Sequence, residues 1–140
     1  MGLTHYWAIE TTKKGMERKY QRALFKCAQL VRAYSEKYGG ISGFTAHTEP
    51  GLYKGLHING SKNSGMGEDF VLTEKFKENE PQSFCKTNGH EYDILVVACL
   101  HILKHELGES FNWSSDHRPE HLLPGKQLAQ KVQCCSTCAH

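Results

Sequence analysis

His101 and His105 stand four residues apart with Lys104 beside them, in a stretch that reads as one helix. Four-residue spacing puts both imidazoles on one helix face. Two such imidazoles can share a metal ion, or join a lysine in gripping a phosphate. Their ordinary alternative is to complement the negative end of the helix dipole. The His-Glu-x-x-His order of a zinc protease is absent. Ahead of the same helix, "FCKT" (84–87) sets Lys86 and Thr87 beside backbone N–H groups left free at a helix start, a generic anion cradle. The Gly-x-x-x-x-Gly-Lys pattern of a phosphate-binding P-loop is missing. Asp93 suits the cap or first turn of the helix. Cys85 is a nucleophile if His90 activates it, and otherwise a buried inert thiol, the commoner case.

Three further groups carry chemical side chains. Ser114, Ser115 and Asp116 end a strand, where they either cap the final helix or line a site on a loop. His117 and His121 follow, again four residues apart. Glu68 and Asp69 form an acidic pair that, with His57 or His105, suits a metal or acid–base pair, or else ordinary strand-edge charge. Cys134, Cys135, Cys138 and His140 begin like a zinc site without a matching second half.

The elements that must position these groups follow from periodicity. "THYWAIE" (4–10) has strand propensity. Residues 14 to 37 carry an apolar stripe of Met16, Tyr20, Ala23, Leu24, Cys27, Leu30, Val31 and Tyr34 at helical spacing, stopped by Gly39 and Gly40. Short runs at 41–47, 55–60 and 69–76, divided by glycines, read as strands, with 60–67 a loop from which Lys62 can reach a ligand. Residues 91 to 107 form a helix apolar nearly all round, hence covered on most sides. A last strand (109–116) and a short helix (119–132), nicked by Pro124 and Gly125, complete the pattern. The expectation is a single α+β domain over 1–132, a small mostly antiparallel sheet packed by a long N-terminal helix and a buried second helix. Residues 133–140 read as a flexible cysteine-rich tail.

Composition narrows the function. The chain has 140 residues, 39% hydrophobic and 23% charged, which suits one folded domain. A net charge of only +2 is too small for the dense basic stripe of a duplex nucleic-acid binder. No run approaches the roughly 20 apolar residues of a membrane span. The start lacks the order of a secretory signal, so a cytoplasmic protein with reduced thiols is expected.

The motifs "THYW", "NG" followed by an acidic turn ending in Phe, "FCKT…YD" before an apolar helix, "KH" near its end and "SSD" on a last strand resemble a family of small, poorly characterised phage and prophage proteins. Members of that family carry Gly-His-Glu-x-Phe, Phe-Cys-Lys-Thr and Ser-Ser-Asp-Gly, and the resemblance covers most of residues 4 to 116. This chain has "GEDF" (67–70) without the histidine and "SSDH" in place of Ser-Ser-Asp-Gly. The resemblance implies a phage setting, a host-cytoplasm location and, by analogy, a counter-defence protein that acts as a sponge for a nucleotide immune signal.

Function is therefore expected to be binding without turnover, of a small anionic, nucleotide-like molecule. Its polar pocket draws on His5, Tyr6 and Trp7 from the first strand and Asn59 from a turn. Lys86, Thr87, Tyr92 and Asp93 would come from the helix approach, Lys104 and His105 from the helix end, and Ser114, Ser115 and Asp116 from the last strand. Aromatics would stack on a base while lysine and histidine meet phosphate. No catalytic residue, metal ligand or cofactor is assigned, and a homo-oligomer suits a stoichiometric binder. The alternatives are a metal- or His-dependent hydrolase or phosphodiesterase using His57, Glu68, Asp69, His101 and His105, and a protein that inhibits a host defence enzyme by surface contact.

Overall fold

A computed structural model describes residues 4–10, 14–38, 44–49, 52–58, 68–72, 83–87 and 92–138. Among these, strand β1 (Thr4–Ile9) leads to helix α1 (Met16–Tyr38), strands β2 (Phe44–Glu49), β3 (Leu52–Ile58), β4 (Phe70–Leu72) and β5 (Ser83–Lys86), helix α2 (Asp93–Leu107), strand β6 (Phe111–Ser115) and helix α3 (Pro119–Cys138). The chain is a small α+β domain.

The strands form two three-stranded antiparallel sheets, β5-β1-β6 and β2-β3-β4, where the sequence suggested one. A backbone bond from Glu68 N–H to the Lys86 carbonyl (2.9 Å) joins their neighbouring edges. β5 has only four residues, too few for a visible period, so in the sequence it shows only as the approach to a helix. In the first sheet the register sets His5 opposite Cys85 and Ser115, and Tyr6 opposite Phe84 and Ser114.

Alternation along β1 follows from the pleat. His5, Trp7 and Ile9 point into the protein and Tyr6 points out. α1 buries Tyr20, Ala23, Leu24, Cys27, Leu30 and Val31, the expected stripe. α2 lies between α1 and α3 and also touches β6. Ten of its fifteen residues are buried, Asp93 being the charged one among them. Gly108, at φ 59°, ends α2 by donating its N–H to the Lys104 carbonyl.

The final helix corrects the sequence reading twice. It continues through Cys138, so the backbone of 133–138, expected as tail, is helical. Gly125 does not nick it. A methyl group there would lie 2.5 Å from Val97 Cγ1 and 2.6 Å from Val97 Cβ, so glycine lets α3 close onto α2.

Candidate functional site

The inner face of β5-β1-β6 and the start of α2 meet at a buried polar cluster. β1 contributes His5, which is fully buried. Thr87, just past β5, and Asp93, the first residue of α2, come from the "FCKT…YD" motif. His117 comes from the turn after β6. His5 Nε2 lies 2.6 Å from Asp93 Oδ1, and the Thr87 hydroxyl donates to the same oxygen. An ionised carboxylate only accepts, so His5 donates through Nε2–H. The His117 ring stacks on His5, with centroids 4.6 Å apart and an interplanar angle of 23°. Its Nε2 is 3.6 Å from Asp93 Oδ1.

Burial alone would raise the Asp93 carboxyl, but hydrogen bonds from His5 and Thr87 and the nearby His5 and His117 rings outweigh it and hold it below its ordinary value. Its place at the positive end of α2 works in the same direction. Burial lowers His117, offset in part by Asp93. His5 Nδ1 and His117 Nε2 are buried without a hydrogen-bond partner, and each such atom costs about 1–3 kcal/mol.

A second ring of contacts surrounds Glu68. Its carbonyl accepts from the Tyr92 hydroxyl at 2.7 Å and the Cys85 thiol at 3.5 Å, and its carboxylate accepts the Lys86 backbone N–H at 2.8 Å. The expected anion cradle is therefore occupied from within: Glu68 takes the Lys86 N–H and Asp93 takes the Thr87 hydroxyl. Burial, then the Glu68, Asp93 and Asp69 carboxylates, push Cys85 up to about 12. This fits the inert thiol rather than the nucleophile. In the native protein at pH 8, Cys85 alkylation mapped by mass spectrometry is expected to run roughly a thousandfold slower than in urea, by thiolate fraction alone. Comparable rates in the two states would contradict that.

Strand alternation divides the remaining expected pocket. Tyr6, Lys86 and Ser114 lie on the outer face of the sheet, away from His5. Trp7 points inward but belongs to the core, its ring edge-on to Phe70 at 5.3 Å. Ser115 accepts the His117 N–H at 3.0 Å, fixing the turn that carries that ring. Asp116 is exposed, and its N–H bonds the Thr4 carbonyl. Lys104 bonds the carbonyls of Gly108 and Phe111 at the far end of α2. Eleven residues of helix put it about 16 Å from Asp93. His105 is exposed at that same end, so neither residue joins the site. Asn59, Lys62 and His90 lie outside the described residues.

Of the residues weighed for hydrolysis, the expected His57–Asp69 pair is brought together, but His101 and His105 are not gathered with it. His57 pairs with Asp69 at 2.8 Å on the second sheet, while His101 packs edge-on to Trp113 at 5.0 Å. His117 is the residue that sequence reasoning missed. Its signal was its position two residues past Ser115, which becomes meaningful only once Ser115 is known to face His5.

On the outer face, Tyr6 and Phe84 are cross-strand neighbours, 40% and 63% exposed. Lys86 is exposed beside them, and Asn112 and Ser114 are exposed on β6. A shallow cleft of about 180 Å³ runs between Tyr6, Ala8, Asn112 and Ser114 with Trp7 and Trp113 beneath. Among the described residues no helix is long and apolar enough to cross a membrane. Comparison of the chain with protein-family models, curated proteins and solved structures finds no match.

Proposed function

We propose that the protein binds an anionic, nucleotide-like small molecule on the outer face of the β5-β1-β6 sheet and holds it without turnover. The observation that carries this reading is the exposed pair Tyr6–Phe84, in cross-strand register and adjacent to Lys86. Two neighbouring aromatic rings on a pleated surface offer a platform for a base, and a lysine at its edge offers a charge for phosphate. Asn112 and Ser114 supply hydrogen-bonding groups across the cleft.

The cleft is smaller than the roughly 300 Å³ at which enclosed small-molecule sites begin. A ligand therefore lies on this face rather than inside it, with one side open. A second copy of the chain closing over that side would raise affinity, which suits a sequestering role. A signalling nucleotide is the ligand class that joins this chemistry to the phage-type motifs.

The test is native mass spectrometry of the full chain against linear and cyclic nucleotides, followed by heat release and chromatography of what was held. Recovery of intact nucleotide is expected. Phe84→Ala should weaken binding roughly tenfold, since base–aromatic stacking contributes about 1–3 kcal/mol. Lys86→Ala should weaken it by a factor that shrinks as salt rises. Recovery of a cleaved product, or binding untouched by both substitutions, would overturn the proposal.

A further inference from the structure

The inner cluster is unexplained by ligand binding on the outer face, and it has a chemistry of its own. His5, Asp93 and His117 are all buried, and one donor atom from each lies within 4.8 Å of the others. The set is two imidazoles and one carboxylate. Removing such groups from water is unfavourable unless each finds a partner. Two of the nitrogens, His5 Nδ1 and His117 Nε2, have none, and their side chains are 0% and 2% exposed. His117 Nε2 faces Asp93 Oδ1 at 3.6 Å, too far for a hydrogen bond.

We infer that His5, Asp93 and His117 form a binding site for a divalent first-row transition cation, zinc being the best fit. Bonds of about 2.0–2.1 Å to imidazole nitrogen and carboxylate oxygen place tetrahedral donors about 3.3 Å apart. The 3.6 Å between His117 Nε2 and Asp93 Oδ1 matches that spacing. The 2.6 Å between His5 Nε2 and Asp93 Oδ1 is a hydrogen bond, which opens by about 0.7 Å when the metal replaces the proton on Nε2, while the stacked His5 and His117 rings turn so that both Nε2 lone pairs meet the ion. The cation thereby meets the unpartnered His117 Nε2 and neutralises a buried carboxylate. Thr87 already donates to Asp93 Oδ1, the outer contact that orients a ligating carboxylate. Nitrogen and oxygen donors without a thiolate favour zinc, iron(II) or manganese over soft ions. Three protein donors leave one tetrahedral position for solvent or a small ligand. The site stands on the opposite face of the sheet from Tyr6 and Phe84, so it holds or fails independently of ligand binding there.

The test strips the full chain with chelator, removes the chelator, and titrates zinc by calorimetry, with cobalt(II) as a spectroscopic probe. One zinc per chain is expected, with visible cobalt bands of a nitrogen–oxygen site and a raised Tm. His117→Gln, whose fold is checked by circular dichroism, removes one donor on a turn and should weaken zinc binding by at least a hundredfold. Thr87→Val should weaken it about 10–100-fold with all three donors retained. Absence of zinc binding by the wild type would overturn the inference. So would equal affinity in folded His117→Gln, or cobalt bands showing only sulfur-to-metal charge transfer, which would assign the ion to the cysteines near the C-terminus.

Discussion

Asp93→Ala is expected to cost about 2–5 kcal/mol of folding stability, because it leaves two buried donors without their shared acceptor. The carboxylate is the acceptor shared by His5 and Thr87, both fully buried. Without it the His5 Nε2–H and the Thr87 hydroxyl have no acceptor, at about 1–3 kcal/mol each. Relief of the carboxylate's own desolvation opposes this loss. It does not win, because Asp93 is held below its ordinary carboxyl value despite burial: its hydrogen bonds and neighbours already exceed the burial cost. Urea unfolding should show a midpoint shift at unchanged slope. Asp93→Asn, which keeps one oxygen acceptor, should lose less than half as much. An Asp93→Ala loss below 1 kcal/mol would mean that the cluster is not a coupled buried network.

Gly125→Ala is expected to destabilise by about 2 kcal/mol, although alanine gains about 1 kcal/mol in helix propensity. The new methyl would sit 2.6 Å from Val97 Cβ and 3.1 Å from the Ile94 carbonyl oxygen. Both are fixed to the α2 backbone, so neither can rotate away and the helices must separate. Tm should fall by about 6–10 °C on the scale for a domain of this size. Gln127→Ala, two residues on and exposed, serves as the control and should leave Tm unchanged or slightly higher. Equal behaviour of the two variants would mean that α3 does not seat on α2 at Gly125.

These two residues also show what the sequence made legible. The apolar run Ile94–Leu100 announced a covered helix, and the fold covers it with α1 and α3. The stripe of α1 and the strand propensity of 4–10 were equally plain. The motif residues His5, Thr87 and Asp93 were singled out by type, and the fold joins them. The sequence reading placed His5, Tyr6 and Trp7 in one pocket, although a period of two already sends Tyr6 to the opposite face. It also joined Lys104 and His105, from the helix end, in one pocket with residues of the helix start, against a rise of 1.5 Å per residue. Those two errors were avoidable. The role of His117 was not legible, because it depends on the register His5↔Ser115, which one sequence does not fix. Nor was Gly125, since a glycine that breaks a helix and a glycine that lets two helices touch look alike until the neighbour is known.

The most direct measurement for the binding face is an amide chemical-shift titration of the isotope-labelled full chain with the nucleotide that binds tightest in the mass-spectrometry panel. The expected result is saturable shifts centred on Tyr6, Phe84, Lys86 and Ser114, with Lys104 and His105 at the far end of α2 unmoved. Shifts centred on that far end, or confined to the second sheet, would contradict a nucleotide-binding face on β5-β1-β6.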